Sequence, residues 1–324
     1  MTVSLINPKN FAPLHAKSDC LVDNLGTIYP ITNGVARIAE LDNYTENFGL
    51  QWNMFDKTQL DRDVEGLVFS FKRFFAGSGW STDELADKDI LEVGSGAGRF
   101  SRVVLEHTRA NLYSVDYSDA VTANFNNNGK IAPDRFHLFQ ASVYDLPFPD
   151  NSFDKVFCFG VLQHTPSFES SVRALIGKAK PGGEVVVDFY PIKGWWTKLH
   201  AKYILRPWTK KMSHADLFKI IEGNVDWLVR LATQMRSIGL GALTRFLPLV
   251  DLRTIPRSEL SDAQFRDWVI LDTFDMFSPK YDNPQRVKDV AAMFGENGAR
   301  VTFAGFINYA GGFRAAVVRG TKLP

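Results

Sequence analysis

Three glycines at alternate positions follow a short, largely apolar run with an acidic residue inside it. The run is DILEV (89–93), the acid is Glu92, and the glycines are Gly94, Gly96 and Gly98. Glycine lets a backbone adopt positive φ and approach a ligand closely. The next segment, RFSRVVLEHT, has helical spacing, and a helix start offers free N–H groups to an anionic group. This turn therefore predicts a site for a nucleotide-like cofactor.

Two common phosphate-binding patterns do not fit this turn. A dinucleotide fingerprint, GxGxxG, needs a small residue where this chain has Arg99. A P-loop needs Gly-Lys-Ser/Thr, which does not follow here. The pattern is instead E-x-G-x-G-x-G, so the sequence disfavours both an NAD-type site and an ATP-binding P-loop.

Strand and helix patterns alternate around the turn. Apolar runs that predict strands lie at 89–94, 111–118, 135–143, 153–163 and 184–190, with helical patterns between them, and two more apolar runs fill 299–320. This alternation predicts an α/β fold with a mostly parallel sheet covered on both faces. The loops after the strands would then share one edge, where such sheets bind ligands.

Four segments carry a family-like motif set in order. LEVGSGAGRFS is the glycine turn, YSVDYS places Asp116 at the end of the second strand, ASVYDLPFPDNSFDKVFCFGVLQHTP ends near His164, and KPGGEVVVDFY leads into the fifth strand. Together they resemble the class I S-adenosylmethionine-dependent methyltransferases, and within them the small-molecule enzymes related to ubiquinone and menaquinone biosynthesis. The resemblance covers about 87–190 and the C-terminal strands.

The resemblance implies a Rossmann-like, mostly parallel seven-stranded sheet with helices on both faces. It implies S-adenosylmethionine as the cofactor, S-adenosylhomocysteine as the product, and no metal. Asp116 would hold the ribose hydroxyls. Tyr117 could stack on the adenine or only shield the edge of the sheet. Ser142 stands where the family commonly has an Asp on the adenine amino group, so the backbone of Val143 is the expected contact. The full predicted cofactor set is Glu92, Gly94, Ser95, Gly96, Gly98, Asp116, Tyr117, Ser142, Val143 and Gly160. Glu92 could instead cap nearby backbone N–H groups.

Methyl transfer from a sulfonium is an in-line displacement, to which the protein contributes alignment and desolvation. A base is needed only if the acceptor is a hydroxyl or an acidic C–H. His164 is the predicted catalytic residue, either as that base or as a wall of the transfer site. The other candidate bases are His200, His214, Asp188, Asp272 and Asp275. The predicted substrate-contacting residues are Tyr190, Trp195, His200, Asp272 and Tyr281.

The chain divides into four predicted parts. Residues 1–40 form a small N-terminal segment, 41–86 a helical lid, 87–190 with 281–324 the methyltransferase core, and 191–280 a helical substrate-specificity cap. The segment SDCLVDNLGTIYPITNGVARI resembles part of a zinc ribbon, but only Cys20 is present, so zinc is not expected. In the lid, Tyr44, Phe48, Gln51 and Trp52 could line the cofactor or pack the helix onto the sheet.

The cap is basic and aromatic. Residues 191–260 hold twelve Lys/Arg and five Asp/Glu, a net charge of +7, against +1 for the whole chain. Five tryptophans lie in 191–280, at positions 195, 196, 208, 227 and 268. Three interpretations stay open: a phosphorylated or nucleotide-linked sugar or glycan, a membrane surface that presents a lipid-linked substrate, and RNA. The spread of the charge favours a small polar or glycan-type substrate.

The bulk composition sets the remaining expectations. Two cysteines, no signal-peptide pattern and no apolar run of about 20 residues predict a cytoplasmic protein without a membrane span. We therefore expect a methyltransferase that acts on a sugar, glycan or specialised metabolite, with nucleic acid an unlikely partner. An RNA methyltransferase and a catalytically inactive S-adenosylmethionine-fold binding protein are the alternatives. The oligomeric state stays open.

Overall fold

The computed structural model describes residues 2–40, 43–61, 67–192 and 194–324. The strands are β1 (Leu14–Ala16), β2 (Cys20–Asp23), β3 (Ile28–Thr32), β4 (Val35–Arg37), β5 (Asp89–Val93), β6 (Asn111–Asp116), β7 (Phe136–Gln140), β8 (Phe153–Phe159), β9 (Ala179–Phe189), β10 (Ala299–Tyr309) and β11 (Phe313–Lys322). The helices are α1 (Glu46–Met54), α2 (Phe69–Ser78), α3 (Arg99–His107), α4 (Ala120–Asn128), α5 (Phe168–Lys178), α6 (Ala201–Thr209), α7 (His214–Ser237), α8 (Asp262–Phe277) and α9 (Val287–Glu296).

The described strands form one sheet in the order β1-β2-β3-β4-β7-β6-β5-β8-β9-β11-β10. Strands β7, β6, β5, β8 and β9 pair in parallel, and β11 and β10 complete this half as antiparallel strands. These seven strands confirm the predicted Rossmann-like α/β core. Because β5 pairs in parallel with both β6 and β8, the carboxyl ends of these three strands lie at one edge of the sheet.

The predicted total of seven strands is too low for the described chain, which has eleven in the sheet. The difference lies in the N-terminal segment. Strands β1 to β4 form an antiparallel meander, and β4 pairs in parallel with β7 through Ala36 and Phe139. The backbone groups along β7 that would otherwise lie at an open sheet edge are thereby paired.

Apolar side chains cover both faces of the core sheet, and a third apolar cluster lies in the cap. The cap cluster joins α7 and α8 around Trp268, Leu228 and Phe274. Helix α7 presents Leu217, Ile221 and further apolar residues at helical spacing to this cluster. Among the described helices, none is both long enough and apolar enough to cross a bilayer.

Candidate active site

The glycine turn after β5 has the left-handed backbone that its glycines predict. The φ angles of Gly94, Gly96 and Gly98 are 82°, 53° and 85°. A Cβ at Gly94 would lie 2.3 Å from Cγ2 of Val161, and one at Gly96 would lie 3.2 Å from the Trp52 indole. The turn is therefore a cradle that only glycine fits, with side chains from α1 and from the loop after β8 packed against it.

Asp116 at the end of β6 holds this turn in place. Its Oδ2 accepts a 2.8 Å hydrogen bond from the Gly96 amide, and its Oδ1 accepts from the amide and hydroxyl of Ser118 at 2.8 and 2.6 Å. Burial raises the pKa of Asp116, and the hydrogen bonds from Ser118 and Gly96 oppose that shift. The structure thus joins the second-strand acid to the middle glycine, and the predicted contact of Asp116 with the ribose stays a prediction.

Glu92 lies below the turn rather than at an open surface. Its Oε2 accepts hydrogen bonds from the hydroxyls of Ser101 and Ser114, and its Oε1 has no hydrogen-bond partner in the described chain. Burial raises the pKa of Glu92 to about 7. In this position the side chain ties β5 to α3 and β6, and its part in cofactor binding stays a prediction.

Helix α1 forms a roof over the turn. Besides Trp52, it places Gln51 in a buried position, where neither amide atom has a partner among the described residues. Just before α1, the ring of Tyr44 contacts the rings of Tyr117 and Tyr281, with centroid distances of 5.4 and 5.2 Å. An aromatic chain therefore runs from the end of β6 to the segment that follows α8.

His164 lies next to Tyr281, at the far end of this row of aromatic residues. Its Nδ1 is 3.1 Å from the carbonyl oxygen of Tyr281, and its Nε2 is 3.8 Å from Oδ2 of Asp275. The phenol of Tyr190 donates a 3.0 Å hydrogen bond to the same Asp275 oxygen. Burial lowers the pKa of His164, and the Asp275 charge opposes that shift. Burial raises the pKa of Tyr190, and Asp275 adds to the shift. The predicted His164, Tyr190 and Tyr281 thus lie together, and Asp275 contacts both His164 and Tyr190.

A hydrogen-bonded network beside the turn was not predicted from the sequence. Arg99, which had served only to reject the dinucleotide pattern, donates from Nη1 to Oε1 of Gln59 at 2.6 Å. Gln59 donates in turn to Asp272 at 3.1 Å, and the Trp268 indole donates to the same carboxyl. Burial raises the pKa of Asp272 to about 7, and burial lowers that of Arg99 to about 10. The predicted substrate residue Asp272 therefore lies near the glycine turn, although it is distant in sequence.

A buried ion pair between α2 and β9 is a second contact that was not predicted from the sequence. Arg73 on α2 donates to Asp188 on β9 through Nη2 at 2.6 Å and Nε at 3.1 Å. The other oxygen of Asp188 has no described partner and lies near Gly160. No local pattern marks Arg73, since its partner is 115 residues away.

The remaining predicted residues divide into two groups. Ser142 and Val143 are buried directly after β7, and the Ser142 hydroxyl accepts from the amide of Tyr144. Trp195 and His200 lie apart from the His164 cluster. The Trp195 indole is 79% exposed and contacts Trp196, while His200 caps α6 by accepting from the amide of Lys202. No cluster of metal-ligating side chains occurs in the described parts of the chain.

Comparisons with known proteins add a family assignment. Residues 91–187 match the family described as a methyltransferase domain. The chain is 31% identical over 110 residues to the tRNA U34 carboxymethyltransferase of Nautilia profundicola, which covers 34% of this chain and 37% of that protein. It is 29% identical over 96 residues to the sterol 24-C-methyltransferase of Pneumocystis carinii, which covers 29% of this chain and 26% of that protein. The chain thus spans well under two thirds of these relatives.

A solved structure also resembles the chain. The S-adenosylmethionine-dependent methyltransferase from Aquifex aeolicus shows a TM-score of 0.41 at 12% identity, over 74% of this chain and 85% of that one. The family match identifies residues 91–187 as a methyltransferase domain, and the glycine turn, Asp116 and the strand order of the core agree with the class I S-adenosylmethionine-dependent methyltransferases.

Proposed function

We propose that the protein transfers the methyl group of S-adenosylmethionine to a small polar acceptor, a sugar, glycan or specialised metabolite, and that His164 accepts a proton from it. The observation that carries this proposal is the pairing of His164 with Tyr281 and Asp275 beside the glycine turn. It supplies a neutral base at the edge of the sheet where the cofactor turn lies.

The residues around the turn fit the cofactor. Several polar atoms near it have no hydrogen-bond partner among the described residues, namely Oγ of Ser95, both amide atoms of Gln51 and Nη2 of Arg99. Buried polar groups are normally hydrogen-bonded, so these atoms suit a ligand that carries its own charged and hydroxyl groups. Asp116 would hold the ribose, and Arg99 with Gln51 would hold the amino-acid end. When bound, the cofactor supplies a methyl group already activated on a sulfonium.

The protonation state of His164 follows from its hydrogen bond. A carbonyl oxygen only accepts, so Nδ1 donates to Tyr281 and carries the proton of the neutral ring. Nε2 then carries a lone pair that can accept a proton from a hydroxyl. Asp275 stabilises the imidazolium that forms, at an Nε2-to-carboxylate distance of 3.8 Å.

The surroundings of this base favour a polar acceptor. Lys202 on α6 forms an ion pair with Asp282 at 2.6 Å and lies 4.9 Å from the centroid of the Tyr190 ring. The phenol of Tyr190 and the carboxyl of Asp275 complete a wall of hydrogen-bonding groups. Polar walls of this kind recognise a substrate hydroxyl or charged group more strongly than an apolar one.

Calorimetric titration of the full chain with S-adenosylmethionine and S-adenosylhomocysteine tests the cofactor step. We expect both to bind, and failure of the folded protein to bind either would overturn the proposal. The acceptor step is tested by the release of S-adenosylhomocysteine with pools of sugars, nucleotide sugars and small phenols. Turnover that occurs only with tRNA would reject the small-molecule acceptor and leave the cofactor assignment intact.

RNA is the second candidate acceptor, and one observation favours it. Some curated relatives are tRNA U34 carboxymethyltransferases, and their similarity reaches 31% identity. The net charge of +7 in 191–260 is compatible with phosphate contacts. Binding of total tRNA that weakens steeply with salt, together with methylation of that tRNA, would establish this candidate over the first.

A further inference from the structure

Exposed apolar side chains concentrate in two short segments of the cap. Of the exposed large hydrophobic side chains in the described chain, nine lie in 195–208 and 238–246: Trp195, Trp196, Leu199, Ile204, Trp208, Ile238, Leu240, Leu243 and Phe246. Trp195 is 79% and Trp208 65% exposed. Exposed apolar groups that cluster in this way mark an interaction surface rather than ordinary surface variation.

The two segments lie against each other. The Arg245 guanidinium donates to the carbonyl oxygen of Trp196 and lies 6.0 Å from the centroid of the Phe246 ring. The Trp195 and Trp196 rings contact each other at 6.0 Å. We call the exposed residues of 194–211 and 238–246 the tryptophan face.

Helix α6 continues this face as an amphipathic helix. Its exposed residues Ile204, Pro207 and Trp208 recur at the spacing of one helical stripe. The opposite side is fixed to the protein, since Arg206 donates to the carbonyl oxygen of Pro279 at 2.7 Å and Lys202 pairs with Asp282. The apolar stripe is therefore held outward by buried polar contacts on the other side.

The charged side chains in both segments of the tryptophan face are all positive. Residues 194–211 contain five Lys/Arg and no Asp/Glu, and residues 238–246 contain one Arg and no acid. Lys198, Lys210 and Lys211 are exposed beside the tryptophans. Tryptophan at the headgroup level and lysine beside it are the side chains that hold a helix in the plane of an anionic bilayer.

We propose that the tryptophan face docks on the surface of an anionic lipid bilayer, with the tryptophan and aliphatic side chains in the interface and the lysines on the headgroups. The aliphatic members distinguish this partner from single-stranded RNA. Leu199, Ile204 and Leu243 have no ring on which a base could stack, whereas a bilayer interface accepts them readily.

Co-sedimentation of the full chain with vesicles tests the proposal. We expect binding to phosphatidylcholine/phosphatidylglycerol vesicles, much weaker binding to phosphatidylcholine alone, and loss of binding as salt is raised. The triple variant Lys198→Gln/Lys210→Gln/Lys211→Gln should lose about fivefold in the partition coefficient for each lysine removed. Trp195→Ala/Trp208→Ala should lose roughly tenfold or more.

Trp227→Ala is the matched control. Trp227 is also exposed, at 51%, but lies on α7 beside Asp226 and near Glu222, outside the tryptophan face. This variant should bind vesicles like the unmodified protein. Equal losses in the control and in the double variant would overturn the assignment of the face, and so would equal binding to both vesicle types.

A second measurement needs no substitution. Brominated phosphatidylcholine mixed with phosphatidylglycerol should quench part of the tryptophan fluorescence of the unmodified chain, because bromine quenches only indoles in the bilayer interface. Absence of quenching under conditions of full sedimentation would reject insertion of the face. Binding of single-stranded RNA that depends on the same tryptophans, without vesicle binding, would replace the bilayer with RNA as the partner.

Discussion

Nδ1 of His164 lies 3.1 Å from the main-chain carbonyl oxygen of Tyr281, and this pairing fixes which ring nitrogen carries the proton. Because the carbonyl belongs to the segment that follows α8, the base is oriented by a residue 117 positions away rather than by its own loop. Oriented in this way, Nε2 lies toward Asp275, and the acceptor would be deprotonated between the two.

His164→Gln should lower kcat by about 10²- to 10⁴-fold if the acceptor is a hydroxyl, since a positioned base contributes about that much. The affinity for S-adenosylmethionine should stay unchanged, because the substitution leaves the glycine turn intact. Burial lowers the pKa of His164 from its usual 6.5, so the unmodified enzyme should lose activity only below that pH, as the ring gains its proton. A variant that keeps the same acidic limb in its pH–rate profile would show that another group is the base.

Asp116→Asn should weaken S-adenosylmethionine binding by about 10- to 100-fold, the range expected for loss of a charge-assisted hydrogen bond. The oxygen of the new Asn can still accept from the Gly96 amide, which keeps that contact to the turn, while its NH2 group loses the hydrogen bonds that Oδ1 accepts from Ser118. Asp119→Asn is the matched control, because this carboxyl is exposed and pairs with Arg37 instead. Titration calorimetry measures both, and equal affinities for the two variants would contradict the ribose role.

Gly96→Ala should lower the free energy of unfolding by about 1–2 kcal/mol, the cost of a left-handed backbone for an L-residue. The new methyl group would also lie 3.2 Å from the Trp52 indole, so cofactor affinity should fall as the roof shifts. Gly223→Ala in α7 is the opposite case, with nothing within 4 Å of its added Cβ. Urea denaturation should show it stabilised by about 0.5–1 kcal/mol. Equal effects of the two substitutions would show that the turn is not strained.

Glu92→Gln should stabilise the protein above neutral pH. Burial raises the folded pKa of Glu92 to about 7 from 4.5, so the folded state holds a proton that the unfolded state releases earlier. The Glu92 contribution to stability is therefore full below about pH 4.5 and is lost as pH rises toward 7. This loss lowers the free energy of unfolding by about 3 kcal/mol. Urea denaturation of both proteins should show a gap that widens between pH 5 and pH 8, and a constant gap would refute the shift.

The signals that predict the cofactor end of the site are local in the sequence. Glycine at 94, 96 and 98 and an acid at 116 each follow a strand, so a short stretch fixes their positions at the sheet edge. The same holds for His164, which follows the fourth strand. Residues of this kind need no knowledge of distant contacts.

Contacts between segments that are distant in sequence could not be predicted from local patterns. Gln59 and Asp272 are 213 residues apart, and Arg73 and Asp188 are 115 apart, so no periodicity connects them. Arg99 is a clear example, because its position excluded one cofactor pattern but gave no sign of its hydrogen bond to Gln59. The joining of β4 to β7 depended likewise on a pairing of two short strands, for which local propensity is a weak guide.

Helix α1 has a consequence for the kinetic order of the reaction. It lies over the glycine turn through Trp52 and is fixed to the cap by a 3.1 Å hydrogen bond from Asn47 to Ser278. An element that lies over the turn and is also bonded to the cap would enclose a bound nucleoside between the two. The donor should accordingly enter first and S-adenosylhomocysteine leave last, which makes that product a competitive inhibitor against the donor and a noncompetitive one against the acceptor.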